Sequence, residues 1–66
     1  MKLTLNGQAR DVGIGLTLSE LLASLQLADK LVLVERNGDA VLRADFPFTT
    51  LGEGDAIEIV RMVGGG

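Results

Sequence analysis

Apolar and polar residues alternate at the start of the chain with the period of a half-buried β-strand. The alternation covers residues 2–5, and the dipeptide Asn6-Gly7 that follows is strongly favoured in tight hairpin turns. A return strand over residues 8–12 completes a predicted hairpin. Gly13 and Gly15 then interrupt the extended pattern.

A helix is predicted over residues 18–26. Thr17 and Glu20 stand three positions apart, the spacing of a capping box at a helix N-terminus. Leucines then recur at the spacing of one helical face, at Leu18, Leu21, Leu22 and Leu25. Such a stripe is typical of a helix that packs on a sheet.

The middle of the chain predicts two further short strands. The apolar run 31–34 is typical of a strand covered on much of both faces, and Asn37-Gly38 signals a second turn. Residues 40–42 can form a brief partner strand. The segment 43–50 contains the only proline and is predicted to be irregular.

The last predicted strand follows a polar, glycine-rich turn at residues 52–55. Ile57 and Ile59 alternate there with Glu58 and Arg61. The order of elements is hairpin, helix, strand, short strand and final strand. The simplest architecture is an α+β domain in which one helix crosses one sheet.

Three glycines, Gly64, Gly65 and Gly66, end the sequence. Residues without Cβ add nothing to a core and lose the most backbone freedom on folding, so a fold gains nothing from them. We expect one domain over residues 1–66 in which 63–66 form a flexible tail. Taken alone, the tail fits a functional arm and a frayed end equally well.

Composition removes several classes of function. The chain has no cysteine and no histidine, which excludes disulfides, thiolate metal sites and imidazole acid–base catalysis. A net charge of −3 with only two aromatic residues argues against binding to nucleic acid. No apolar run approaches the length of a membrane span, so we expect a soluble, cytoplasmic protein.

Two weaker motifs are interpreted as turns. Gly13 and Gly15 lack the third glycine and the parallel-sheet context of a phosphate-binding loop. Glu53 and Asp55 could suggest an acid–base pair or a cation site, but no other ligands stand at suitable spacing. We expect no catalytic residue and no bound metal, with Asp55 ordering the approach to the last strand.

The whole chain resembles the ThiS family, the sulfur-carrier proteins of thiamin (thiazole) biosynthesis. The resemblance includes the length, the hairpin and the capped leucine-rich helix. It is carried further by four segments, Val34-Glu35-Arg36-Asn37-Gly38, Leu51-Gly52-Glu53-Gly54-Asp55, Ile57-Glu58-Ile59-Val60 and Val63-Gly64-Gly65-Gly66. It implies a ubiquitin-like β-grasp fold, with a mixed sheet of four to five strands packed on one main helix. The first and last strands are then parallel neighbours at its centre.

The resemblance also implies a chemistry for the tail. A ThiF-like adenylyltransferase, related to the E1 ubiquitin-activating enzymes, uses ATP to convert the carboxylate of Gly66 to an acyl adenylate. Sulfur from a donor such as a cysteine desulfurase replaces AMP, and the thiocarboxylate delivers it to a ThiG-like thiazole synthase. Gly64, Gly65 and Gly66 have no side chains to clash with the narrow sites of these enzymes. The chain itself binds no cofactor and is not an enzyme.

Partner recognition is predicted near the tail, at Val60, Arg61, Met62 and Val63. If Ile57 and Ile59 face the helix, Val60 and Met62 lie on the opposite face and can form an apolar docking patch. Equally, the irregular segment with Phe46 and Phe48 can cover them. Glu35, Arg36 and Arg61 are possible charged contacts at the rim of such a patch, or solvated surface residues.

Three other functions stay open. The small subunit of molybdopterin synthase (MoaD-like) is another β-grasp carrier with a terminal glycine thiocarboxylate. A ubiquitin-like modifier would instead form conjugates through its C-terminus. A plain interaction domain would keep its function without Gly65 and Gly66.

Overall fold

A mixed five-stranded sheet is the framework of the computed structural model, which describes residues 1–62. Its strands lie in the order β2-β1-β5-β3-β4. The β1–β5 pair is parallel and the other neighbours are antiparallel, as in the β-grasp arrangement. The strands are β1 (Lys2–Leu5), β2 (Gln8–Asp11), β3 (Val32–Arg36), β4 (Asp39–Val41) and β5 (Ala56–Arg61). The α+β class and the parallel first and last strands are therefore confirmed.

Both predicted asparagine–glycine turns are present, and their backbone conformations explain the residue choice. Asn6 and Gly7 have φ angles of 50° and 82° between β1 and β2. Asn37 and Gly38 have φ angles of 52° and 87° between β3 and β4. Two successive positive φ angles define the hairpin turn whose twist matches that of the flanking strands.

The helix α1 (Leu18–Ser24) begins where the capping box predicts. The Glu20 amide donates to Thr17 Oγ1 at 3.2 Å, and the Thr17 amide donates to Glu20 Oε1 at 2.9 Å. The helix ends two residues before the predicted residue 26. Gln26 adopts a φ of 60°, and the Leu27 amide donates back to the Leu22 carbonyl at 2.9 Å. This is a Schellman C-cap, here with glutamine in the position that glycine usually holds.

One face of the sheet carries the core. Three leucines of α1 pack there against alternate residues of the strands and against the segment after β4. The buried apolar residues are Leu3, Leu18, Leu21, Leu22, Val32, Val34, Phe46, Leu51, Ile57 and Ile59. The opposite face is not covered by any element within residues 1–62, and we call it the open face.

The prediction of a strand covered on both faces over residues 31–34 is wrong. Val32 and Val34 are buried, but Leu33 is 58% exposed on the open face. Leu31 is 51% exposed in a 3-10 helix, Asp29–Leu31, that precedes β3. With the core on one side only, strand alternation sends every second side chain of β3 to the open face.

Two other predicted strand boundaries differ from the observed ones by one residue, and one segment predicted to be irregular contains a helix. The second strand ends at Asp11 rather than at residue 12, and β4 lies one residue earlier than predicted. The segment predicted to be irregular contains a 3-10 helix, Arg43–Phe48, with Pro47 inside it. No helix within residues 1–62 is long and apolar enough to cross a membrane.

Candidate functional site

The predicted site lies at the C-terminal end of β5 and along the chain beyond it. Val60 and Arg61 are the last two residues of β5, and Met62 follows directly. Four of the predicted site residues lie outside the described residues. They are the partner-binding candidate Val63, the tail residues Gly64 and Gly65, and the predicted sulfur position Gly66. The structure therefore defines the base from which the chain continues to Gly66.

The start of β5 is fixed by a buried carboxylate. Asp55 precedes the strand and is only 8% exposed. It accepts hydrogen bonds from the Gly52 amide at 2.7 Å, from Arg36 Nε at 2.9 Å and from Asn37 Nδ2 at 3.1 Å. In return, Asn37 Oδ1 accepts from the Ala56 amide at 2.8 Å. This network ties the turn after β3 to the first residue of β5.

The Asp55 network also sets the protonation of that carboxyl. Burial alone would raise the pKa of Asp55, because it penalises the charged form. The hydrogen bonds from Gly52, Asn37 and Arg36, together with the charge of Arg36, outweigh burial and lower the pKa below its usual value of 3.8. Asp55 is thus an ionised structural group and orders the approach to β5.

Arg36, named above as a possible charged contact at the rim of a docking patch, contacts Asp55 within the fold. Its guanidinium forms an ion pair with Asp55, with Nε and Oδ2 separated by 2.9 Å. Its side chain is 35% exposed, so the pair lies at the edge of the core. The neighbouring Glu35 is exposed on the open face.

An apolar surface occupies the part of the open face closest to the tail. Leu33 and Val60 are directly opposite each other in the β3–β5 register. They are 58% and 59% exposed. Met62 continues the same alternation along the chain and is 37% exposed. Leu42, 71% exposed, directly follows Val41, which pairs with Val34 next to Leu33. We call this set, Leu33, Leu42, Val60 and Met62, the apolar surface.

The segment with the two phenylalanines does not cover Val60. Phe46 is 1% exposed in the core on the helix side of the sheet. Phe48 is 82% exposed and leaves Val60 open. Of the two interpretations weighed for Val60 and Met62, burial under this segment is excluded for Val60.

Two carboxylates border the apolar surface. Glu35 and Glu58 are register partners on β3 and β5, and both are exposed on the open face. Directly opposed like charges destabilise a sheet. Within residues 1–62 the one salt bridge joins Arg36 and Asp55, so neither glutamate is neutralised by an ion pair there.

Asn6 is a further positioning residue that sequence reasoning missed. Its side chain accepts from the Ile59 amide at 2.8 Å and donates to the Ile59 carbonyl at 3.3 Å. The turn signal of Asn6-Gly7 explains the positive φ but not this contact, which joins residues 53 positions apart. Leu33 and Leu42 were also missed, because an apolar residue in a strand pattern is compatible with either face.

The residues read as turns behave as turns. Gly15 and Gly54 have φ angles of 80° and 82°, which glycine adopts without strain. The Glu53 carboxylate accepts from the Lys2 amide at 3.1 and 3.2 Å and so caps the start of β1. Within residues 1–62, no group of three or more acidic, histidine or cysteine side chains is placed to hold a metal ion.

A protein-family model described as the ThiS family matches residues 3–66, nearly the whole chain including the terminal glycines. The chain belongs to the ThiS family. The sulfur carrier protein ThiS of Bacillus subtilis is 43% identical over 68 residues, which cover 97% of this chain and 98% of that protein. The family predicted from the sequence is thereby confirmed.

Two further comparisons extend the ThiS match. The crystal structure of the thiamine biosynthesis protein ThiS from Geobacter metallireducens has a TM-score of 0.85 at 40% identity and covers all of both chains. A thiazole synthase of Paramagnetospirillum magneticum is 36% identical over 66 residues, which are 100% of this chain but 20% of that protein. This ThiS chain therefore spans a fifth of the length of that relative. Its fold is the ubiquitin-like β-grasp of the ThiS structure.

Proposed function

We propose that this ThiS-family chain is the sulfur carrier of thiamin thiazole biosynthesis, and that sulfur is attached at the carboxylate of Gly66. The observation that carries the proposal is the family match, which extends from residue 3 to residue 66 and so includes the tail. The full-length identity to the Bacillus subtilis sulfur carrier protein supports it. The thiazole synthase relative supports a ThiG-like acceptor as one partner.

The proposed chemistry takes place in successive steps on one carbonyl. An adenylyltransferase joins AMP from ATP to the Gly66 carboxylate and releases pyrophosphate. The terminal sulfur of a persulfide on a donor such as a cysteine desulfurase attacks the acyl carbon, and AMP leaves with one of the former carboxylate oxygens. A thiol then reduces the resulting acyl disulfide, which releases the thiocarboxylate and leaves the donor sulfur in a disulfide with that thiol. The thiocarboxylate then transfers its sulfur to the substrate of thiazole synthase.

Activation is required because a carboxylate has no good leaving group, and AMP supplies one. This chain has no cysteine and no histidine, so the catalytic groups belong to the enzymes that it visits. The chain is a protein cosubstrate, and no ATP site is needed on it. Glycine at the last position leaves the carbonyl open to the sulfur nucleophile.

The apolar surface is the proposed docking site for these enzymes. It borders the end of β5, so an enzyme that covers Leu33 and Val60 is positioned to receive the tail. The exposed pair of Glu35 and Glu58 beside it favours a partner that presents arginine or lysine at the rim of the contact. A cation there would remove the repulsion between the two carboxylates.

Intact mass spectrometry tests the carrier role. The chain is incubated with its own adenylyltransferase, ATP and a sulfur donor, and we expect a mass gain equal to the replacement of one oxygen by sulfur, located at Gly66. The variant that lacks Gly66 is the matched control and should show no gain at all. An unchanged mass for the full chain under conditions that adenylate a known ThiS would refute the proposal, and lysine conjugates of higher mass would favour a protein modifier instead.

Substitution at the open face tests the docking role. Leu33→Ser and Val60→Ser should each slow thiocarboxylate formation at limiting enzyme by about tenfold, the effect of losing about 1.4 kcal/mol of binding. Ile14→Ser is a control, since Ile14 is 90% exposed but lies in the loop between β2 and α1. Equal effects of all three substitutions would show that the apolar surface has no special role.

A further inference from the structure

The backbone of β5 hydrogen-bonds alternately to its two neighbours. Even-numbered residues pair with β3 and its flanks, as shown by the Met62 amide on the Leu31 carbonyl at 2.8 Å. Odd-numbered residues face β1, as shown by the Asn6 amide on the Ile57 carbonyl at 2.9 Å. This alternation follows from the geometry of a strand between two partners.

Asn6 provides the last bonding position of β1. The main chain reverses at Asn6 and Gly7, so β1 has no backbone left to place beside Ile59. The Asn6 side chain takes over and bonds the Ile59 amide and carbonyl, in place of the backbone groups that a longer β1 would supply. The ladder on the β1 side of β5 therefore ends at Ile59.

Arg61 is the next odd-numbered residue, and its backbone faces the space beyond the hairpin. Arg61 is an exposed register partner of Val32. Its pair with Val32 is a non-hydrogen-bonded one, because the bonded pairs of this ladder include Leu31 with Met62, and no turn or loop bond within residues 1–62 uses the Arg61 amide or carbonyl. An inner strand of the sheet thus has an open edge with one donor and one acceptor, at the point where the chain leaves for Gly66.

We propose that this edge takes an extended segment of thiazole synthase as an added strand beside Arg61. A donor and an acceptor spaced along a strand match extended peptide backbone, which is how strand addition is recognised. This inference rests on the proposed function, because it assigns the occupant to the enzyme that receives sulfur from Gly66.

The thiazole synthase relative supports that occupant, since a fifth of its length matches this whole chain, and the distance along the chain allows the contact. Gly66 is five residues beyond Arg61, and five extended residues span at most about 18 Å. The enzyme that acts on Gly66 must therefore surround the chain within that distance of Arg61. Val60, on the neighbouring position, belongs to the apolar surface, so one enzyme can cover the open face and the edge together. A strand added at Arg61 would also set the direction in which the glycines enter the active site.

N-methylation of a single amide tests the proposal without altering a side chain. The chain is made by chemical synthesis with the Arg61 amide methylated, and its affinity for the cognate thiazole synthase is measured by titration calorimetry. We expect affinity to fall about tenfold or more. Arg61→Ala measures the share of the side chain, and methylation of the amide should lower affinity further than this substitution does.

A second methylated amide is the matched control for edge position. The Ala9 amide also points outward, away from β1. The Val12 amide bonds to the Met1 carbonyl of β1, and every second residue of β2 does the same to its own partner. Ala9 is three residues from Val12, so its amide faces the opposite side. Methylation at Ala9 should leave affinity within threefold of the unmodified chain. Thermal unfolding of both methylated chains verifies that each is folded before the affinities are compared.

Hydrogen exchange gives an independent readout on the unmodified chain. The Arg61 amide should exchange rapidly in the free protein and become protected at least tenfold in the complex, whereas the Ala9 amide should not change. Three results would each overturn the strand proposal. The first is a loss of affinity on Arg61 methylation that only equals the loss in Arg61→Ala, and the second is an equal loss on Ala9 methylation. The third is an effect of Arg61 methylation on the adenylation step alone. If any of these results occurred while the mass gain at Gly66 was normal, the carrier function would stand and only the strand proposal would fail. Failure of the strand proposal is therefore distinguishable from failure of the proposed function.

Discussion

Substitution of Asp55 by asparagine is the sharpest test of how β5 is held. The change keeps the shape of the side chain and removes its charge. In the structure Oδ2 accepts from the Gly52 amide and from Arg36 Nε, and Oδ1 accepts from Asn37 Nδ2. Asparagine can offer its oxygen to only one of these two sides.

The magnitude follows from the three bonds. With its oxygen in the Oδ2 position, Asp55→Asn keeps the bonds from Gly52 and Arg36 but loses the negative charge of the acceptor, which weakens each bond by about 1 kcal/mol. The new amide then faces Asn37 Nδ2, and that charge-assisted bond, worth about 1.5–3 kcal/mol, is lost. Arg36 is partly exposed, so solvent screening reduces its share. We expect a loss of about 2–4 kcal/mol in the free energy of unfolding.

That loss is large for a chain of this length. A domain of 66 residues is expected to have an unfolding free energy of about 3–10 kcal/mol. Each kcal/mol shifts the melting temperature of such a domain by about 4–8 °C. Urea unfolding at 20 °C, followed by circular dichroism, measures the change directly. Asp45→Asn is the control, because Asp45 is an exposed acid outside the network, and it should change stability by less than about 0.5 kcal/mol.

The same substitution should change the pH dependence of stability. The pKa of Asp55 is lower in the folded chain than its usual value, so the unfolded state binds more protons in this range. The contribution of Asp55 is therefore complete above about pH 4–5 and is lost as the pH falls through the folded-state pKa. Wild-type stability should fall more steeply than that of Asp55→Asn as the pH drops below about 5.

Two results would refute this reasoning. One is a loss below about 0.5 kcal/mol at pH 7, which would mean that the network contributes no more than an average surface contact. The other is parallel pH profiles for the wild type and Asp55→Asn. In that case, the carboxyl that titrates with unfolding would lie elsewhere.

Three further substitutions probe the helix, its cap and the end of β1, each measured by chemical denaturation. Leu22→Ala, at a site that is 0% exposed, should cost about 2–5 kcal/mol through the cavity it leaves, and a loss near zero would show that the core collapses around it. Thr17→Ala removes one half of the capping box and should cost about 0.5–2 kcal/mol, with Thr17→Ser as the variant that retains the bond. Asn6→Ala loses both bonds to Ile59 at a φ of 50° and should cost about 1–3 kcal/mol, whereas Asn6→Gly should recover only the part due to backbone strain.

The features that sequence predicted well are those whose signals are local. Thr17 and Glu20 reach each other within one turn of helix, so their spacing is enough to predict the N-cap. The asparagine–glycine turns likewise depend on the φ angles of two adjacent residues. The helix C-terminus was harder, because Gln26 adopts the left-handed conformation without being a glycine. The strand order came from the family resemblance, since periodicity does not say which strands are neighbours.

The features that sequence missed depend on contacts between distant positions. Arg36 and Asp55 are 19 residues apart, and nothing near either residue indicates the partner. The exposure of Leu33 depends on which face of the sheet the helix covers. Val32 and Val34 have the same apolar character as Leu33, so composition alone cannot separate the buried face of β3 from the open one. Both errors fall where tertiary packing, rather than local propensity, assigns the role of a residue.

Asp55, just before β5, and Gly66, beyond the end of β5, have separate expected roles in stability and in chemistry. Asp55 acts through the folded population, whereas Gly66 is the proposed reacting group. For a wild-type stability of about 5 kcal/mol, a loss of 3 kcal/mol leaves about 2 kcal/mol, which still corresponds to about 97% folded chain. Sulfur loading of Asp55→Asn at 20 °C should therefore stay close to that of the wild type, while the chain without Gly66 should be inactive at every temperature. If Asp55→Asn were folded but did not accept sulfur, the Asp55 network would have to affect the contact with the partner enzyme. The hydrogen bond between Asn37 and Ala56 at the start of β5 would then be the next contact to test by substitution.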